Sequence, residues 1–242
     1  MKIKQMRADR SNYGGIRKLN DIKYIVIHYT ANKNDTAENN CKYFQRKNVK
    51  SSAHYFIDSD NIIQSVHDNY IAWSIGGKKY SSCSETGGGT FYGRCKNSNS
   101  ISIELCSDNG SFAPGTINNA VKLVQMLRKK YHISINNVIR HFDVTGKSCP
   151  AYWIGTNEIE FLDFKVQVLN PSSITKKSQN WLVKWLQYHI NKENSIQQNK
   201  IEVDGKYGAR TVSAIVEMWK EWGWKPSSGN GVGKKTINRL LQ

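Results

Sequence analysis

KYIVIHYT, residues 23–30, is rich in β-branched and aromatic side chains and reads as a buried strand. A buried strand needs partners for its backbone and cover for its side chains, so the rest of the chain must supply both. AHYFIDSDNIIQSV (53–66) offers two more such runs around Ser-Asp-Asn, the pattern of a β-hairpin, and SISIELC (100–106) is a further strand. DTAENNCKYFQRKN begins acidic and ends basic, the charge order a helix dipole favours. From Thr116 the apolar period becomes helical, with Ile117, Val121, Val124 and Leu127 on one stripe behind a threonine cap. That helix is expected to reach about Tyr131. NVIRHF then reads as another strand, and strands interleaved with helices in this way make an α/β domain.

With 242 residues the chain has room for two units. LNPSSITKKSQ, starting at Leu169, lacks periodicity and reads as a linker. Residues 1–168 are therefore expected to form one domain, 169–178 a linker and 179–242 a second domain. Past the linker, Trp181, Leu182, Trp185 and Leu186 share a helical stripe. VDGKYGARTVSAIVEMW and GNGVGKKTINRLL follow across glycine turns, which predicts a small all-α unit of three helices.

Net charge is +16, from 35 Lys and Arg against 19 Asp and Glu, which draws the surface to polyanions. No nucleic-acid motif accompanies the charge, and the basic residues are not gathered on one helix, so nucleic-acid binding is not expected. No apolar run is long enough for membrane insertion, and the polar N-terminus lacks the apolar segment of a signal peptide. Five widely spaced cysteines without a CxxC pair do not indicate a disulfide framework or zinc finger. Cys83 and Cys95, flanking SETGGGTFYGR, could close a loop if oxidised. That glycine-rich stretch is not followed by GK[ST] or a helix and reads as a mobile cleft rim rather than a phosphate loop.

RHFDVTGKSCP (140–150) sets His141 and Cys149 eight positions apart, and His28 ends the apolar run YIVIH. A lone strand histidine is usually a core residue. Two at strand ends together with a cysteine match a catalytic zinc arrangement, in which the fourth position stays open for water.

The blocks YIVIHYT, SAHYFIDSDNIIQSV, SISIELC and RHFDVTGKSCP, in this order, resemble the zinc-dependent N-acetylmuramoyl-L-alanine amidases of the phage-endolysin and peptidoglycan-recognition-protein type. The resemblance covers residues 20–165 and implies a mixed central β-sheet flanked by helices. It implies Zn2+ held by His28, His141 and Cys149, with Glu104 as the catalytic carboxylate and Lys147 assisting catalysis. The implied reaction is hydrolysis of the amide between N-acetylmuramic acid and L-alanine of peptidoglycan. His54 stands where some members have tyrosine, and its role stays open between framework, substrate contact and ligand. Where members often show AWH this chain has Ala-Trp-Ser, so Trp73 is a candidate substrate contact and Ser74 only pocket wall.

VDGKYGARTVSAI with GNGVGKKTINRL resembles the three-helix peptidoglycan-binding domain of wall hydrolases, its spacing stretched by INKENSIQQNKI. In EWGWKP, Trp222 or Trp224 is a candidate platform for a sugar face. The partners implied are peptidoglycan and anionic wall polymers. A cytoplasmic product without a signal peptide would leave through holin-type lesions. The alternative reading is a catalytically silent peptidoglycan-recognition protein.

Overall fold

A computed structural model describes residues 1–193 and 200–242; positions 194–199, within INKENSIQQNKI, lie outside it. Contacts divide the chain into two units, Met1–Glu158 and Ile159–Gln242.

The strands of the first unit are β1 (Lys4–Gln5), β2 (Tyr13–Ile16), β3 (Tyr24–Tyr29), β4 (Tyr55–Ile57), β5 (Ile62–Gln64), β6 (Tyr70–Ala72), β7 (Ser100–Leu105) and β8 (Val138–Arg140). Six of them form one mixed sheet in the order β1-β5-β4-β7-β3-β8, while β2 and β6 pair separately. β4, β7, β3 and β8 run parallel, and β5 returns antiparallel to β4 as the expected hairpin. Ile25, Ile27, Ile101, Ile103 and Leu105 are fully buried, which explains why these runs read as near-continuous apolar stretches.

Helices α1 (Ala37–Phe44), α2 (Cys83–Thr86), α3 (Pro114–Tyr131) and α4 (His141–Thr145) complete the unit. Thr36 caps α1 by accepting from the Asn39 N–H, and Ala37 and Cys41 pack against Phe56 and Ile63 of the hairpin. Two boundaries differ from the sequence reading. α3 begins at Pro114 with Thr116 already inside it, because proline at the first position presets φ and loses no helical bond. NVIRHF is strand only to Arg140; the Asp143 carboxylate then accepts the Arg140 N–H at 2.7 Å and starts α4 at His141. Cys83 and Cys95 are both free, so the optional bridge is absent.

A buried polar cluster ties the sheet to α3. Asp68 accepts from Tyr55 Oη at 2.7 Å, Gln64 Nε2 at 3.0 Å, Tyr131 Oη at 2.5 Å and Lys130 Nζ at 3.0 Å. Burial alone would raise the Asp68 pKa, but bonds from Tyr131, Tyr55 and Lys130 outweigh it and hold it below the ordinary value. A depressed folded pKa contributes stability above the unfolded value, and that stability is lost as pH falls through the folded one. Asp68→Asn is therefore expected to lower unfolding stability by about 2–4 kcal/mol at neutral pH. In urea titrations the gap between the two proteins should close as pH falls below the ordinary carboxylate range; a gap unchanged with pH would refute the assignment.

The second unit holds α5 (Glu158–Leu169, all but its first residue), β9 (Ser173–Thr175), α6 (Asn180–Glu193), α7 (Ala209–Glu221), β10 (Gly231–Gly233) and α8 (Lys234–Leu240). Trp185, Leu186, Ile190, Ile215, Met218 and Ile237 form its core. The three expected helices are α6, α7 and α8. The sequence reading omitted the β9–β10 ladder, in which Ile174 pairs with Val232, both fully buried. The expected boundary is corrected accordingly: the stretch read as a linker lies inside this unit, because Ile174 is a core residue and α5 adds Val166 to the same core. Trp181 is half-buried, with the Lys165 ammonium 4.7 Å above its ring.

Candidate functional site

The sheet register assembles the site. His28 lies opposite Glu104 across the parallel β3–β7 pair, and Ile27 lies opposite Arg140 across β3–β8. His141 therefore follows at the level of His28, and three neighbouring parallel strands deliver His28, Glu104 and His141 at their carboxyl ends. Such ends are where open α/β sheets place ligands. Alternation puts Val26, His28, Ser102 and Glu104 on one face, and Phe56, opposite Glu104 on β4, shares it.

Cys149 arrives by a tight return. α4 ends at Gly146, whose φ of +85° is the left-handed cap conformation suited to glycine. The Phe142 N–H then donates to Cys149 O at 2.9 Å, drawing the cysteine back to the start of the helix. The ligand atoms of His28, His141 and Cys149 lie within 4.8 Å of one another, and all three residues are buried. Cys149 Sγ is 3.8 Å from His28 Nδ1, and the two imidazole rings are 4.7 Å apart at 60°. Glu104 Oε1 stands 4.0 Å from His28 Nδ1, outside hydrogen-bond range.

The donor atoms, rather than the surrounding charge, suit a bound cation. Burial, then the neighbouring His141 and Lys147, push the His28 pKa well below its ordinary value; burial and Lys147 lower that of His141 to about 4. Both imidazoles are thus neutral and able to donate electron pairs. Burial and the Glu104 charge push the Cys149 thiol up to about 12, so its thiolate needs a positive partner. Among the described residues, His28 Nε2 and both nitrogens of His141 are buried without a hydrogen-bond partner. Each such orphan costs about 1–3 kcal/mol unless something satisfies it. Two neutral imidazoles and a thiolate form the donor set that suits zinc with a position left open.

Glu104 Oε2 is also buried and unpartnered, and burial raises the Glu104 pKa to about 8, with the positive Lys147 opposing. Lys147 is exposed and lines two cavities of this unit. One, of about 740 Å3, also touches His141, Trp73, Ser74 and Tyr80. The other, of about 540 Å3, touches Glu104, Tyr29, Tyr43 and Phe56.

Of the three roles left open for His54, the framework one is what its surroundings support. His54 is 1 % exposed, its Nδ1 lies 3.1 Å from both Ser102 Oγ and the Ser102 N–H, and its Nε2 lies 2.8 Å from Arg17 Nη2. Burial, with Arg17 adding to it, lowers its pKa to about 3. It is a framework residue that reaches neither cavity. The glycine-rich loop is also relocated: Gly89 N–H donates to Phe142 O and Phe91 N–H to Asp143 O, fixing the loop against α4. The rim of the larger cavity is instead residues 76–81. In the second unit Trp222 and Trp224 are half-buried rather than open platforms. Arg239 lies 4.2 Å over the Trp222 ring and Lys235 4.4 Å over Trp224. Sequence reasoning missed Lys50, Lys78, Lys79 and Asn97 as lining residues; the lysine pair in GGKKYSS was the one visible signal.

The family profile described as N-acetylmuramoyl-L-alanine amidase matches residues 18–152, more than half of the chain. The chain is 37 % identical over 143 residues to the N-acetylmuramoyl-L-alanine amidase CwlL of Bacillus licheniformis, covering 57 % of this chain and 38 % of that protein. It is 32 % identical over 171 residues to the amidase BlyA of Bacillus subtilis, covering 66 % and 46 %. The match thus spans less than half the length of these two curated relatives. Among solved structures, a mutant endolysin from Bacillus subtilis superposes with a TM-score of 0.55 at 25 % identity, over 69 % of this chain and 99 % of that one.

Proposed function

The chain belongs to the N-acetylmuramoyl-L-alanine amidase family, and from that premise we propose that it hydrolyses the amide between N-acetylmuramic acid and L-alanine in peptidoglycan, as a zinc-dependent endolysin. The observation that carries this reading is the meeting of His28, His141 and Cys149 within 4.8 Å, beside a buried carboxylate on the adjoining strand.

His28, His141 and Cys149 would hold the zinc, which when bound would supply Lewis acidity towards water and a carbonyl oxygen. Glu104 supplies the proton carrier: its buried, unpartnered carboxyl on the strand beside His28 is placed to take a proton and return it to the leaving amine. Lys147, at the junction of the two cavities, supplies positive charge where a carbonyl oxygen turns anionic. Trp73 lines the cavity beside His141 and serves as a substrate contact. Arg140 holds the return loop, through Asp143 at 2.8 Å and the Trp153 carbonyl at 2.5 Å, so that His141 and Cys149 stay in register.

The second unit is the wall anchor in this reading. Residues 159–242 carry 13 Lys and Arg against 7 Asp and Glu, or +6, which suits anionic wall polymers. Phage origin, and exit through holin-type lesions, belong to the same reading; among the described residues no helix is long and apolar enough to cross a membrane.

Purified protein incubated with Gram-positive walls is expected to release new N-terminal L-alanine without reducing sugar ends. Reducing ends without new amines would reassign the cleavage to the glycan. Ile159–Gln242 expressed alone should sediment with walls, and its charge predicts release as salt approaches ~0.5 M, where screening falls to roughly 4 Å. Failure to sediment at low salt would remove the anchor.

A further inference from the structure

The larger cavity beside the cluster is lined by four lysines, Lys50, Lys78, Lys79 and Lys147, and by no aspartate or glutamate. Among the described residues none of the four has a carboxylate within ion-pair distance, unlike Lys42, Lys130 and Lys220. The smaller cavity is lined by Asp35 and Glu104 with Lys147 as its one cation, so the two differ in sign.

The lysines stand on anchored loops. Lys50 has a φ of +58°, a conformation that costs a non-glycine residue and persists only where its surroundings impose it. Its N–H donates to Asn12 Oδ1 at 3.1 Å. Asn12 is itself fully buried, and its Nδ2 donates to the Phe44 and Arg46 carbonyls at 2.8 and 2.7 Å. The next residues are fixed to the cavity wall, with Ser52 N–H donating to Trp73 O and Trp73 N–H to Ser52 Oγ, both at 3.1 Å. Across the cavity, Tyr80 N–H donates to Thr145 O at 2.8 Å. The Lys79 stem lies against Gly89, where an added Cβ would come within 2.6 Å of it. Like charges held together in a cleft focus potential on an anion.

We propose that this cavity receives the peptide side of the substrate and selects stem peptides whose carboxyl groups are free over those in which they are amidated. Lys50, Lys78 and Lys79 are the specificity-determining residues. The inference rests on the amidase reading of the adjoining site. A wall peptide continues from L-alanine into residues that bear carboxyl groups, and walls differ in whether these are amidated. Free carboxylates complement the lysines, whereas carboxamides leave them uncompensated.

The test uses two soluble muramoyl peptides that differ only in carboxylate against carboxamide, which excludes wall polymers as the anion source. The full chain should hydrolyse the free-acid peptide with roughly tenfold higher kcat/KM at low salt, as expected of a focused cleft potential. Lys50→Gln/Lys78→Gln/Lys79→Gln should bring the two rates within about twofold of each other, the free-acid peptide losing more than the amidated one. Equal rates for the native chain would overturn the inference and leave the amidase reading intact, and so would a preference that survives in the triple variant. Should neither peptide be cut, the amidase reading fails, and calorimetric binding of both peptides to Glu104→Gln still decides the preference. Tighter binding of the free acid, lost in the triple variant, supports the assignment, and equal binding refutes it.

Discussion

Alanine in place of His28, His141 or Cys149 is expected to abolish both zinc retention and wall lysis, with turnover falling by at least about 10³-fold, because each removes one of only three protein donors. The native chain should hold about one zinc, a chelator should stop lysis, and added zinc should restore it. Emission spectroscopy reads the metal and turbidity of a wall suspension reads the lysis. Far-ultraviolet circular dichroism serves as the control, since all three side chains are buried and a misfolded variant would also be inactive. The outcome follows from donor chemistry. In the metal-free site the imidazoles are neutral and the thiol is protonated, so a cation must displace the thiol proton to bind. Retention of metal should therefore fall with acid, as protons compete for the same atoms. A folded variant of any of the three that keeps its zinc and lyses walls at the native rate would sink the assignment.

Much of this site was legible before the fold was known, for a definite reason. His28 and Glu104 close apolar strand runs, and His141 ends VIRH, so sequence placed all three near strand ends. Parallel pairing then sets those ends side by side. The pairing order β4-β7-β3-β8 itself was beyond reach, because period-two alternation gives a strand its faces but not its neighbours. His54 illustrates the limit. Its position two before Phe56 put it on the site's face, but only the bonds to Ser102 and Arg17 show it locked inside. The linker misled because short polar residues surround Ile174, whose burial depends on Val232, far along the chain. Lys50 had no local signal, since its backbone is held by Asn12, 38 positions away.

Glu104→Gln and Lys147→Ala should part company with the donor variants by keeping zinc while losing activity. Glu104 Oε1 stands 4.0 Å from His28 Nδ1 and Lys147 is an exposed loop residue, so neither belongs to the trio that holds the metal. Glutamine preserves the shape of the buried side chain and removes its capacity to carry a proton. The expected loss is about 10²–10⁴-fold in kcat, the range of general acid–base catalysis, with KM nearly unchanged. Lys147→Ala removes a charge facing a developing oxyanion, expected to cost about 10²-fold or more. If both act on one transition state, the double variant should lose less than the product of the single losses, since residues working as a unit are not additive. Loss of zinc from Glu104→Gln would place the carboxylate among the ligands instead. Native turnover with zinc retained would remove it from catalysis, leaving the raised pKa as a consequence of burial alone.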